Sequence, residues 1–133
     1  QIYATEITRG LDVLELVPSE FLTTNEIAAA ALADPGETFN PQQQFPVQWP
    51  DSPLIARAYI DQLRRDQVLS EKDLVTLETL ATALADPSAP DRLSQLNQTL
   101  SQLEQRAHQK DIQHRSLSGV LKMLRSFSKK GAL

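Results

Sequence analysis

Residues 52–63 read Ser52-Pro53-Leu54-Ile55-Ala56-Arg57-Ala58-Tyr59-Ile60-Asp61-Gln62-Leu63. A serine hydroxyl can cap a helix, and proline fits the first helical position because the N–H it lacks would have no intrahelical acceptor there. Leu54, Ile55, Ala58, Tyr59 and Leu63 then recur at helical spacing and form one apolar stripe. Such a stripe is stable only when covered, and more leucine-rich helices follow it. The fold class expected is mainly α, with four to five helices following a short N-terminal β-hairpin.

Downstream, Ser70-Glu71-Lys72-Asp73 caps a helix over 71–85 that turns Leu74, Leu77, Leu80, Ala81 and Leu84 inward and stops at Asp86-Pro87. Ala89-Pro90 opens the longest helix, over 90–110. Its Leu93, Leu96, Leu100, Leu103 and Ala107 are spaced 3, 4, 3 and 4 residues apart, a seam of about two and a half heptads. That is short of the roughly three to four heptads a coiled coil needs. A pairing with the last helix, over 112–128, is the simpler account. Leu117, Val120, Leu121, Leu124 and Phe127 form the apolar face of that helix, ringed by Arg115, Lys122, Arg125, Lys129 and Lys130. The candidate interaction surface is therefore Leu93, Leu96, Leu100 and Leu103 with Leu117, Leu121, Leu124 and Phe127, flanked by Arg115, Lys122 and Arg125.

Upstream, residues 2–7 and 11–16 alternate in places and are joined by Thr8-Arg9-Gly10, where glycine makes a positive φ cheap. Two strands alone are marginal in water. Residues 1–17 are accordingly expected to belong to an upstream sheet or propeller, and 18–133 to form the helical module. Thr23-Thr24-Asn25-Glu26 is a capping box that opens a helix over 24–33, which ends before Pro35-Gly36. Residues 34–52 hold four prolines and Gln42-Gln43-Gln44. They are expected to form an extended linker pinned by Phe39, Phe45, Val47 and Trp49.

A chain of 133 residues with 41% hydrophobic, 23% charged and 5% aromatic residues is one globular domain built on aliphatic side chains. The absence of cysteine excludes disulfides, zinc–thiolate clusters and a thiol nucleophile. The net charge of −4 conceals a division: residues 1–89 carry 14 acidic and 5 basic side chains, residues 90–133 carry 3 and 8. Either a basic helix lies on an acidic body, or the basic end steers an anionic partner.

His108 and His114 are six residues apart, about 240° around a helix, so one face cannot present both to a metal. His114 has an expected ion-pair partner in Asp111. No serine lies in a Gly-x-Ser-x-Gly elbow, and four glycines form no phosphate-cradling loop. Neither catalysis nor a cofactor nor a metal is expected. Nucleic acid is not an expected partner, since the basic terminal helix lacks interleaved aromatics apart from Phe127. A membrane is likewise not the first expectation, although a basic amphipathic helix can lie on an anionic surface.

Residues 2–16, Ile2-Tyr3-Ala4-Thr5-Glu6-Ile7-Thr8-Arg9-Gly10-Leu11-Asp12-Val13-Leu14-Glu15-Leu16, resemble the last blade strands of the secreted bacterial LVIVD-repeat β-propeller proteins. Three later stretches are similar to the tail that follows the propeller there: Pro18-Ser19-Glu20 with 25–30, then Asn40-Pro41-Gln42-Gln43-Gln44, then Trp49-Pro50 with 56–63. The likeness runs in order over about half the chain. It implies an exported protein, extracellular or periplasmic, whose propeller lies upstream, and it implies no enzyme. The function expected is a non-catalytic packing and protein-interaction module. Its partner would be the upstream part of the parent protein, another chain or a second copy. The alternative is a ligand- or membrane-surface-binding module that uses a cleft near Trp49 and Tyr59 with the basic terminal helix.

Overall fold

Helix α2 (Pro53–Arg65) begins as the sequence predicts, with the Ser52 hydroxyl accepting the Leu54 N–H at 3.2 Å and Pro53 in the first turn. The computed structural model describes residues 2–33, 47–83, 90–109 and 114–130. Within it α2 is the central element. Ile55, Ala58 and Leu63 of the expected stripe are buried, but so are Ala56 and Ile60, both at 0% exposure. The apolar surface of α2 is wider than one stripe because three helices lie against it: α1 (Thr24–Ala30), α3 (Glu71–Ala83) and α5 (Arg115–Lys130). Helix α4 (Pro90–Gln109) packs mainly on α5, with a smaller contact to α3.

These faces meet in one core. α3 contributes Leu74, Leu77 and Ala81, α4 contributes Leu100 and Leu103, and α5 contributes Leu117, Val120, Leu121, Met123 and Leu124. Helices α2 and α5 approach closely at Gly119. A Cβ built there would lie 2.8 Å from Cζ of Tyr59, so the phenol ring rests directly on the α5 backbone. Ion pairs trim the core's margins. Arg64 reaches Glu78 at 2.9 Å and Glu71 at 3.3 Å, Arg106 reaches Asp73 at 3.0 Å, and Arg125 pairs with Glu104.

The helix ends have local causes. The capping box of α1 is complete: the Thr23 hydroxyl accepts the Glu26 N–H at 3.2 Å and a Glu26 carboxylate oxygen accepts the Thr23 N–H at 2.8 Å. α1 ends at Ala30, not at 33, because Leu32 and Ala33 donate to Ala29 and Ala30 in tighter three-residue turns. The end of α2 carries no glycine. Gln67 adopts a left-handed φ of 53°, its N–H donates to Arg64, and the Val68 N–H donates to Leu63 at 3.1 Å. This is a Schellman stop built on glutamine, and Val68 packs against the core as the motif requires. α3 is described to Ala83, α5 begins at Arg115, and the expected extensions over 84–85 and 112–113 lie outside the described residues, as do 34–46 of the linker.

Strands β1 (Ile2–Glu6) and β2 (Gly10–Leu14) form the expected antiparallel hairpin, with Ile2 opposite Leu14 and Tyr3 opposite Val13. Gly10 closes the turn at φ +90°. The strands are shorter than the sequence suggests, since Ile7 lies in the turn and residues 15–16 follow the pairing. Unlike the helices, the hairpin buries little: Ile2, Tyr3, Leu11, Val13 and Leu14 are all exposed, on both of its faces.

Leu63 at the hub of the core should be the costliest truncation. Leu63→Ala is expected to lower stability by about 2–5 kcal/mol in denaturant unfolding. Gln67→Gly should raise it by about 0.5–1 kcal/mol by removing the left-handed strain.

Candidate functional site

Between α1, α2 and the start of α5 lies a cleft of about 290 Å³. Ala29, Ile55 and Ala58 give it an aliphatic floor, and Trp49 and Tyr59 give it aromatic walls. Its polar lining is Glu26, Gln62, Ser116 and Arg115. The position of each follows from the fold. Tyr59 and Gln62 share a face of α2 about one helical turn apart, Glu26 is the third residue of α1 and closes its capping box, and Arg115 and Ser116 are the first residues of α5.

A chain of polar contacts links the three helices at the cleft. Both Arg65 amino groups donate to Glu26, each at 2.9 Å, in the fork geometry that guanidinium and carboxylate share. The Ser116 hydroxyl donates to the Gln62 carbonyl oxygen at 2.6 Å. Beside this, the Thr23 hydroxyl and the Asn25 amide both donate to one oxygen of Asp61, at 2.7 and 2.9 Å. The bonds from Arg65 hold the Glu26 carboxyl down to about 2, from an ordinary 4.5. Burial works in the opposite direction, while the Thr23 N–H and the Gln62 side chain assist Arg65. The same pair raises Arg65 above its usual value. Among the described residues every buried side-chain nitrogen and oxygen has a hydrogen-bond partner.

His114 makes a contact that the sequence did not indicate. Asp111 lies outside the described residues, and the contact that is seen joins Nε2 to Asp66 at 3.2 Å. Its Nδ1 sits 3.3 Å from the Ser116 N–H, which can only donate. Nδ1 therefore accepts, and Nε2 carries the proton toward Asp66. The imidazole is the cap of α5. Among the described residues no group of three or more His, Asp or Glu could hold a metal ion.

The candidate interaction surface divides into buried and exposed parts. Leu100, Leu103, Leu117, Leu121 and Leu124 are buried in the chain's own core, so they are no free surface. α4 and α5 cover each other and α5 covers α2, and the leucine pattern records that internal packing. The side chains of Leu93, Leu96 and Phe127 lie outside those described. Of the flanking cations, Lys122 is exposed, Arg125 pairs with Glu104, and Arg115 stands at the rim of the cleft. Sequence reasoning had named Trp49 and Tyr59 but not Gln62, Ser116 or the Glu26–Arg65 pair. Glu26 carried a capping signal that fully accounted for it.

A carboxyl depressed in the folded state stabilises the fold above its unfolded pKa, and that contribution is lost as pH falls toward the folded value. For Glu26 the window is about pH 5 to 2. Arg65 is partly solvated, which sets the contribution at about 2 kcal/mol. Glu26→Gln should cost about that much at neutral pH and should unfold with a shallower acid dependence across this window, as urea titrations at each pH would show.

Comparison of the chain with protein-family models, with curated proteins and with solved structures finds no match in any of the three.

Proposed function

We propose that this chain is a non-catalytic protein-interaction module in which the helical body is the folded platform and the hairpin is the docking element. The observation that carries this reading is the solvent exposure of the hairpin's apolar side chains. Tyr3 is 65% exposed, Leu11 60% and Val13 53% on one face, with Ile2 and Leu14 exposed on the other. Among the described residues the sheet has two strands, so each has one edge without a neighbouring strand there. Val17 and Phe21, also exposed, continue the apolar run toward α1. Unpaired strand edges with apolar faces are the surfaces that proteins either protect or use for pairing.

The occupant that fits is another β-sheet, contributed by a further segment of an exported protein or by a second polypeptide. The resemblance of residues 2–65 to the tail of LVIVD-repeat propeller proteins supports a sheet of propeller-blade type. No described helix is long and apolar enough to cross a membrane.

The cleft supports a second reading, a ligand-binding module, because it joins aromatic walls to a cation at its rim.

Replacing Tyr3 and Val13 together by lysine tests the first reading. The unmodified chain should associate with rising concentration in sedimentation, or bind an LVIVD-repeat propeller domain. The double variant should do neither while keeping the same helical circular dichroism. A strict monomer at high concentration that also ignores the propeller would end this reading.

A further inference from the structure

We infer that the cleft between α1, α2 and α5 binds a small amphipathic carboxylate, with its apolar body between Trp49 and Tyr59 and its carboxylate on Arg115. This rests on the second reading, that the cleft is a ligand site, and adds the chemistry of the ligand.

Size sets the first limit. At about 290 Å³ the cleft is at the small end of ligand sites, which span roughly 300–1,000 Å³. It admits a single ring with a short chain and excludes an extended peptide or a folded partner. The lining sets the second. Ala29, Ile55 and Ala58 offer nothing to hydrogen-bond, and Trp49 and Tyr59 offer ring surface. The part of the ligand in contact with them is apolar.

Charge decides the rest. Glu26 lines the cleft but has Arg65 on both oxygens and the Thr23 N–H on one of them, so it has no demand for a cationic ligand. The Gln62 side chain is engaged by the Ser116 hydroxyl on its carbonyl oxygen and bonds Glu26 as well. Arg115 is the lining residue that differs: it is exposed, and among the described residues it makes no ion pair. Its position in the first turn of α5 opposes the helix dipole, so local helix stability does not account for a cation there. A guanidinium at the mouth of an apolar cleft is complementary to a planar carboxylate that can accept two parallel N–H donors.

The structure also supplies a way to alter the cleft without touching a charge. Gly119 lies under the Tyr59 ring, and a methyl group there would come 2.8 Å from Cζ. Gly119→Ala must displace the ring that forms one wall.

The test titrates phenylpropanoate and its neutral isostere phenylpropanamide into the full chain and follows the fluorescence of Trp49, the single tryptophan. The acid should give a saturable change and bind about tenfold more tightly than the amide, the difference expected of a charge-assisted bidentate contact. Arg115→Ala should abolish that preference and, by removing a cation from a helix N-terminus, should leave the melting temperature unchanged or raised. Arg115→Lys should retain part of the preference. Gly119→Ala should weaken acid and amide alike by about tenfold or more. Acid and amide binding equally, with no effect of Arg115→Ala, would overturn the carboxylate assignment while the cleft stayed a ligand site. No saturable change with either probe would overturn the site itself. A Trp49 response confined to anionic vesicles would replace both with a membrane surface.

Discussion

The structure depends on covering one helix. α2 presents apolar or small side chains over most of its circumference, and a helix of that kind is unstable until neighbours remove it from water. α1, α3 and α5 do so, and α4 completes the cover by closing over α5. The sizes of the residues in the middle set how close those neighbours come. Ala56 and Ala58 on α2 and Ala81 on α3 leave room for the leucines around them, and Gly119 lets α5 lie against the Tyr59 ring. Aromatics are too few to fill the core, and the largest fully buried side chains are aliphatic.

Around that core the polar contacts act as registration. Burial is non-directional, so leucine faces alone would tolerate sliding and rotation of one helix on another. Glu26 with Arg65, Thr23 and Asn25 with Asp61, and Ser116 with Gln62 each join residues more than thirty positions apart with directional bonds. A shift of one helix by a turn would break them and leave a nearly buried carboxylate without its counter-ion, a larger penalty than the net gain from forming the pair. The cleft owes its shape to these bonds, since they place α1 and the start of α5 on either side of Tyr59. Its floor is Ile55 and Ala58 of α2 with Ala29 of α1, and no leucine is among its lining residues.

The hairpin follows a different economy. Its hydrogen bonds are internal and its register is well defined by the pairing, but its side chains gain little burial from the helices. The concentration of exposed Ile, Leu, Val, Tyr and Phe in residues 2–21 contrasts with a helical body whose large exposed apolar side chains are few and scattered. The interaction reading and the cleft reading therefore draw on separate parts of the chain and do not compete for the same residues.

The sequence by itself determined the elements. The Ser52-Pro53 start, the Thr23–Glu26 capping box, the glycine turn at 10 and the helical spacing of leucines are local signals, and local hydrogen bonding and periodicity suffice to read them. It also located Trp49 and Tyr59 as neighbours of a cleft. It favoured the pairing of α4 with α5 that the structure shows, yet it also offered the same leucines as an interaction surface, because a leucine stripe looks the same whether its partner is the same chain or another. It could not reveal that Gln67 ends α2, that His114 caps α5 and turns to Asp66, or that Arg65 closes on Glu26 39 residues away. Those are decided by tertiary structure, because each depends on which distant groups the packing brings within about 3 Å, and spacing along the chain carries no record of that distance.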